Sequence, residues 1–240
     1  MNNEQFYSNL LCEANRYRQQ YERSIPELIE KAKAETAYME YSKGGKTLHR
    51  GYYFPGLVED LITGNISRGR RMKRRPKAPD YFYYFDSSDK LRLSEDPTCT
   101  EVILYEDNRE IGLSIDPTGR FYAFSLCEKK NGIIQNYRRF CAGVEVFFDM
   151  YMEDYQFQDG FLAEAEVRNI LILSANPFAR KIVEDNMKDA NFTQQELDQL
   201  LIGDFFLPTH QIVHFRNDGL NLVSYTLKEL PRGHVKEYRL

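Results

Sequence analysis

The chain has 240 residues, a length that allows one or two domains and a sizeable buried core. Hydrophobic residues make up 42% and charged residues 28% of the chain, which excludes a disordered protein and a fibrous repeat. The formal net charge of -4 at pH 7 excludes a protein that is basic over its whole surface.

The N-terminal part is predicted to be helical as far as Gly64. From Phe6 to Tyr21 apolar residues recur at spacings of three and four, which is typical of a helix with one buried face. A second helix is predicted from an N-cap at Ser24 to a glycine pair that ends at Gly45. A third, shorter helix follows and is predicted to end at Gly64.

The N-terminal sequence and the cysteines indicate a cellular compartment. The first twenty residues have neither the basic nor the apolar region of a secretory signal, so we expect a cytoplasmic protein. No aliphatic run approaches the roughly 20 residues that a membrane span needs, so we expect no membrane partner. Four cysteines without a CxxC pair are predicted to be reduced core residues. They are Cys12, Cys99, Cys127 and Cys141.

Residues 65–173 are predicted to form an antiparallel sheet. After a basic segment, seven short segments such as YFYYF, EVILYE and RFYAFSL are separated by turn sequences such as DSSD, DPTG and KKNG. This spacing is typical of consecutive strands that pair with one another, so we expect a β-meander of about seven strands. Asp159 and Gly160 predict the turn of a further hairpin.

The C-terminal part combines predicted helices with a last hairpin. One helix is predicted in residues 176–190, and a second follows a capping box of Thr193 and Glu196. The hairpin turns at Asp218–Gly219 and precedes a final edge strand. Because the helices bracket and interrupt a mainly antiparallel sheet, the predicted class is α+β. No long linker is present, so we expect a single domain.

A basic segment precedes the sheet: residues 68–77 contain seven Arg and Lys residues and no acid. It has two interpretations. The cations could bind phosphates while neighbouring rings stack on bases, although the rest of the chain has 25 basic against 36 acidic residues. Alternatively, they lie on an edge strand, where they block edge-to-edge pairing or neutralise the protein's own acids. The candidate nucleic-acid-binding residues are Arg68, Arg70, Arg71, Arg74 and Arg75.

An acidic and aromatic segment in residues 145–159 is the predicted surface for a protein partner. Acids would steer a basic partner, and tyrosines would supply contact area. The same pattern is typical of a strand with one solvated and one packed face, and a third interpretation is a metal site with oxygen ligands. The candidate partner-binding residues are Glu145, Asp149, Tyr151, Glu153, Asp154 and Tyr155.

His210 and His214 are four residues apart, a spacing that places both on one face of a strand. Together with a carboxylate they could hold a metal ion, as in a hydrolase or a metal-dependent enzyme. The alternating sequence HQIVHF also fits two polar positions on a solvated strand face. Because no nucleophile elbow, P-loop or dinucleotide motif is present, we expect no catalytic residue, no metal and no cofactor.

The strand and turn cadence of residues 80–140 resembles that of bacterial immunity proteins of polymorphic toxin systems, and is similar to the tyrosine-rich strands of YD-repeat proteins. The resemblance implies a cytoplasmic, non-enzymatic protein that neutralises a toxin by occlusion. Our leading hypothesis is therefore a protein-binding module whose partner is a basic toxin domain. The alternative hypothesis is a nucleic-acid-binding protein that acts through the basic segment.

Overall fold

The computed structural model describes most of the chain, in two compact units. We call residues 16–133 the middle unit, and residues 1–15 with 134–240 the terminal unit. The described residues are 2–45, 50–63, 67–143, 146–175, 181, 183, 185, 192–218 and 221–239.

Helices are few among these residues, and only α1 is long. The first helix buries Ala14 and Tyr17, as its apolar stripe predicted. The last helix has the predicted capping box, in which the side chain and backbone of Thr193 and Glu196 exchange hydrogen bonds. The helix predicted in residues 176–190 lies almost entirely outside the described residues. The helices are α1 (Asn3–Tyr21), α2 (Ile25–Ala34), α3 (Glu59–Ile62) and α4 (Gln194–Leu200).

The middle unit contains seven described strands. They are β1 (Tyr38–Lys43), β2 (Arg70–Met72), β3 (Tyr81–Phe85), β4 (Leu91–Glu95), β5 (Thr100–Glu106), β6 (Arg109–Ile115) and β7 (Phe121–Lys130). Their spatial order is β2-β1-β3-β4-β5-β6-β7, and all neighbours are antiparallel. From β3 onward each strand pairs with the next one in sequence, so the predicted meander is confirmed here.

The terminal unit contains longer strands. They are β8 (Ile133–Ala142), β9 (Phe147–Gln158), β10 (Phe161–Ile172), β11 (Leu201–Ile202), β12 (Phe205–Asp218), β13 (Asn221–Glu229) and β14 (His234–Arg239). Their order is β8-β9-β10-β12-β13-β14, again antiparallel, and the short β11 pairs with β12. Asp159 and Gly160 join β9 to β10 with positive φ angles of 54° and 83°, which confirms the predicted turn.

The predicted second helix is wrong beyond Ala34. The chain instead forms β1, which pairs with the aromatic strand β3 so that Glu40 lies opposite Tyr83. Ser42 Oγ lies 3.0 Å from the hydroxyl oxygen of Tyr83, inside the core. These long-range contacts outweigh the local helix preference of the segment. Ser24 occupies the predicted N-cap position of α2, but its hydroxyl donates to the carbonyl of Tyr21 and accepts no hydrogen bond from a helix N–H.

The predicted class is confirmed for its antiparallel strands and its N-terminal helix. It is wrong in proportion, since strands occupy far more of the described chain than helices do. Strands replace part of the predicted N-terminal helices. The strands are also longer than the apolar segments from which they were predicted. Within the described ranges, no helix is long and apolar enough to cross a membrane.

A buried ion cluster ties the loop before β2 to the sheet of the middle unit. The side chain of Arg50 is only 1% exposed, and its Nε lies 3.0 Å from Oε2 of Glu101. The same guanidinium donates to Glu110 and, at 3.2 Å, to the hydroxyl of Ser125. Because Gly112 has no side chain, the guanidinium can lie against the strand here, where a Cβ would overlap Glu101.

Candidate functional site

The basic segment lies at an edge of the sheet of the middle unit. Its strand β2 stands at one end of the strand order and pairs with β1, with Met72 opposite Tyr41 and Arg70 opposite Lys43. This is the location that the edge-strand interpretation required. The question is then which of the seven cations remain available to a partner.

Two of the seven cations hold the segment in place. Arg68 donates from Nε to Asp60 at 2.8 Å and to backbone carbonyls in residues 54–56. Arg71 donates from Nε and Nη2 to the two carboxylate oxygens of Glu40, each at 2.6 Å. The hydrogen bonds from Arg71 lower the pKa of Glu40. Arg68 and Arg71, both predicted to bind nucleic acid, therefore have a structural role, because each pairs with a carboxylate of the same chain.

The other cations are exposed. Arg75 places its guanidinium 5.4 Å from the ring centroid of Phe82, where cation and ring attract each other. The remaining four make no hydrogen bond or ion pair with any described residue. The exposed set is Arg70, Lys73, Arg74, Arg75 and Lys77.

Half-buried aromatic and methionine side chains lie beside these cations on one sheet face. Tyr41 is paired with both Met72 and Phe82, and the rings of Tyr41 and Phe82 meet edge to face at 5.8 Å. The alternation of side chains along β3 turns the other rings of YFYYF, at positions 81, 83 and 85, into the core. We call Tyr41, Arg70, Met72, Arg75 and Phe82 the basic-aromatic face.

The basic-aromatic face belongs to the more basic part of the chain. Residues 16–133 contain 21 Lys and Arg against 18 Asp and Glu, a formal charge of +3. The remaining residues contain 11 basic against 18 acidic, a formal charge of -7. The acidic excess expected outside the basic segment is therefore concentrated in the terminal unit, and the basic-aromatic face lies in the unit whose formal charge is positive.

A cavity of about 680 Å³ opens on the other side of the same edge. Tyr38 stacks on Phe85 there, with ring centroids 4.9 Å apart. The hydroxyl of Tyr53 donates to Glu40, and burial raises the pKa of this phenol, so it stays neutral. The cavity thus offers rings, the hydroxyls of two tyrosines and the ammonium group of Lys73. Its lining is Tyr38, Met39, Glu40, Tyr53, Arg71, Lys73, Phe85 and Asp89.

The predicted acidic partner surface is wrong for three of its residues. The exposed fractions of Tyr151, Glu153 and Tyr155 are 3%, 0% and 7%. Both tyrosine hydroxyls donate to the carboxylate of Glu153, the first at 2.6 Å. A buried carboxylate is tolerated here because it receives hydrogen bonds that replace water. These side chains therefore stabilise the interior and present no surface to a partner.

Asp149 and Asp154 of that segment are also unsuited to steering a basic partner. Asp154 accepts hydrogen bonds from Arg138 and, at 3.3 Å, from Arg168, so its charge is neutralised within the chain. Asp149 is half-buried, and this burial raises its pKa. Glu145 lies outside the described residues.

Removing a donor to the buried Glu153 should destabilise the terminal unit. We expect Tyr151→Phe and Tyr155→Phe each to lower the free energy of unfolding by about 1.5–3 kcal/mol, because hydrogen bonds to buried charged groups are strong. Urea unfolding measures the change. The control is Tyr238→Phe, whose exposed hydroxyl bonds no described residue and which should change stability by less than about 0.5 kcal/mol. Equal effects of all three substitutions would contradict the role of Glu153.

His210 and His214 lie on one face of β12, as their spacing predicted, but each has its own carboxylate. His210 Nε2 lies 2.6 Å from Glu166, and His214 Nδ1 lies 3.1 Å from Glu164. The two glutamates alternate along β10, which pairs with β12. Among the described residues, no group of three His, Cys, Asp or Glu side chains is arranged to hold a metal ion. The pair thus forms two separate cross-strand contacts.

The contact of His210 with Glu166 predicts a dependence of stability on pH. The hydrogen bond from His210, together with the hydrogen bond and charge of Arg168, lowers the pKa of Glu166 from 4.5 to about 2. A carboxyl group with a lowered folded-state pKa stabilises the fold above its unfolded pKa and loses that contribution as pH falls through its folded pKa. We therefore expect the stability difference between the native chain and Glu166→Gln to shrink as pH falls from 4.5 to about 2. A difference that stays constant over this range in acid titrations of unfolding would contradict the assignment.

The cysteines are free thiols, and their positions differ. Cys99 and Cys127 are buried and Cys141 is half-buried, in agreement with a structural role, whereas Cys12 is exposed and the prediction of a core position is wrong for it. Burial raises the pKa of Cys127 and of Cys141 to about 12. Both thiols therefore stay protonated near neutral pH and are poor nucleophiles.

The side chains at the basic edge can recognise a partner through charge and through aromatic rings. The carboxylate of Glu40 and the phenol of Tyr53 are both occupied in internal hydrogen bonds. Sequence reasoning found the cations of this face but missed Met72, and it missed Tyr41 because β1 was predicted to be helical. The alternation of YMEYSK was the signal that could have identified a strand there. The chain matches no protein-family model, and no curated protein matches it significantly.

Proposed function

We propose that the protein is a non-enzymatic binding module that holds another protein through its basic-aromatic face, in the manner of an immunity protein that occludes a toxin domain. One observation carries the proposal. Exposed cations that make no ion pair with any described residue stand next to Tyr41, Met72 and Phe82 on one face of a sheet edge. Arg, Tyr, Phe and Met are the residues that protein interfaces favour at their centres.

The charge of this face specifies an acidic docking surface on the partner. Opposite charges speed association and fix the orientation of the two proteins, while the rings supply contact area. The basic toxin domain of our first hypothesis does not fit this face. Of the acids that would have attracted such a domain, Glu153 is buried and Asp154 is paired with Arg138.

The cavity beside the edge supports a protein partner in particular. The stacked rings of Tyr38 and Phe85 can receive an apolar or aromatic side chain, and Lys73 at the rim can pair with an acid next to it. Interfaces gain most of their energy from a few side chains that fill such pockets. The resemblance of residues 80–140 to immunity proteins is our reason for proposing a toxin domain as the partner.

Nucleic acid is the second candidate for the same face. This candidate is favoured by the guanidinium of Arg75, which lies over the ring of Phe82 with Tyr41 adjacent. Cations and rings that share a face bind single-stranded nucleic acid, because the cations contact phosphates and the rings stack on bases. In that case, replacing the exposed arginines with Ala should reduce the salt dependence of binding by about one unit for each phosphate that is no longer bound.

Affinity capture from the native cells separates the two candidates. The tagged chain is used with and without nuclease, at low and at high salt, and both proteins and nucleic acids are identified. We expect a stoichiometric protein that survives nuclease and is lost when Arg70 and Arg74 are changed to Glu. Recovery of nucleic acid alone, released by high salt or nuclease, would contradict the proposal and support the second candidate.

A further inference from the structure

The last strand, β14, is a sheet edge without a described neighbour on its outer side. It pairs with β13 along its whole length, from Glu229 opposite His234 to Ser224 opposite Arg239. All six of its residues are exposed, and the exposed fractions of Val235 and Tyr238 are 63% and 38%. Edges with exposed apolar residues readily pair with another strand, so folded proteins usually cover or charge them.

The charges on β14 do not block such pairing. Lys236, the residue type that most often protects an edge, is held by Glu229 of the neighbouring strand at 2.9 Å. Glu237 and Arg239 make no ion pair with a described residue. They alternate with Lys236 and Tyr238, so Val235, Glu237 and Arg239 share one face of the strand.

The order of these residues is complementary to itself. When two copies of one strand pair in antiparallel fashion about a two-fold axis, residues that share a face meet one another. With the axis at Tyr238, the two tyrosines face each other and Glu237 of each copy lies opposite Arg239 of the other. Opposite charges directly across a strand pair stabilise it, and so do paired aromatic residues.

Other registers lack this match. An axis at Lys236, Glu237 or Arg239 would place two identical charges opposite each other, which destabilises a strand pair. An axis at Val235 would place His234 opposite Lys236, a pair without attraction. The register centred on Tyr238 is also supported by the neighbouring strand, because Tyr225 stacks on Tyr238 with ring centroids 4.7 Å apart and holds its ring in place.

We infer that β14 binds a second copy of this chain by strand addition, with a two-fold axis at Tyr238 and two reciprocal pairs of Glu237 with Arg239. The pairing continues the sheet of the terminal unit into the second copy. This interface uses none of the residues of the basic-aromatic face, so it is independent of the proposed function.

Complementary charge reversals test this interface. We expect the native chain to dimerise with rising concentration in sedimentation equilibrium, and Glu237→Arg and Arg239→Glu each to weaken the dimer about 10-fold or more, since both pairs become repulsive. An equimolar mixture of the two variants should restore a dimer that contains one copy of each. In that mixed dimer, positions 237 and 239 of the two copies again carry opposite charges across the strand pair, on both sides of the axis.

The controls separate this interface from folding and from the basic edge. Lys228→Glu changes the charge of the neighbouring strand β13 as much as Arg239→Glu does, at an exposed position, and should leave the dimer unchanged. Arg70→Glu with Arg74→Glu should also leave it unchanged. Circular dichroism checks that each variant is folded. A native chain that stays monomeric, or a mixture that pairs no better than either variant alone, would overturn the inference.

Discussion

Changing Arg70 and Arg74 to Glu is expected to weaken binding of the captured partner about 100-fold, equivalent to ~2.7 kcal/mol. Both side chains are exposed and make no bond with a described residue, so the substitution leaves the fold intact. The weaker binding arises because attraction to an acidic partner becomes repulsion. Association should slow most at low salt, where charges are screened least. Titration of the purified partner at low and at high salt measures both effects.

A matched variant separates local contacts from total charge. Arg23→Glu with Lys130→Glu changes the formal charge of the same unit by the same amount, again at exposed positions. It should reduce affinity less than about 3-fold, because charges far from an interface act only through a screened field. Equal effects of the two double variants on affinity would contradict the assignment of the binding face to β2 and its neighbours.

The largest loss of stability is expected from Arg50→Met. This substitution keeps the apolar stem but removes the guanidinium that lies 3.0 Å from Glu101, which is itself 2% exposed. An uncompensated buried carboxylate costs about 3–5 kcal/mol when its partner is removed. We therefore expect the middle unit to lose about this much free energy of unfolding. Amide hydrogen exchange in β5 and β6, followed at rising urea concentration, measures the change in that unit.

Two further substitutions show whether the cluster is responsible. Arg92→Met removes the ion pair between the partly exposed Arg92 and Asp86, whose carboxylate keeps its hydrogen bonds from the N–H groups of Ser88 and Lys90, and should cost about 1 kcal/mol or less. Gly112→Ala adds a Cβ that would overlap Glu101, so it should disturb the cluster without removing a charge. If Arg50→Met were no more destabilising than Arg92→Met, the ion cluster would not be what holds residues 50–54 against the sheet.

Most strands could be predicted because their signals are local. The segment YFYYF alternates between core and surface as β3, and Asp159–Gly160 supplies the two positive φ angles that its hairpin needs. The strand β1 was harder to predict, because the alternation of YMEYSK follows directly after a helix pattern. Its sequence continues a helix pattern, and only the pairing with β3, about forty residues later, makes the extended form more stable.

The sequence likewise reveals some features of the candidate site and not others. The seven cations of the basic segment are visible in the sequence, but their availability depends on distant acids: Arg71 is paired with Glu40, which lies 31 residues away. The acidic and aromatic segment shows the opposite case. Alternating acids and tyrosines are the same in sequence whether the acids face water or the interior, and Glu153 faces the interior.

The antiparallel strands, their turns and the position of the positive charge along the chain could be predicted, because these depend on residue alternation, turn chemistry and composition. Which charges are neutralised inside the protein and which remain for a partner depends on tertiary contacts. A charge becomes buried or free through the strand packed next to it, and strand neighbours such as Glu40 and Arg71 are set by long-range pairing rather than by local sequence.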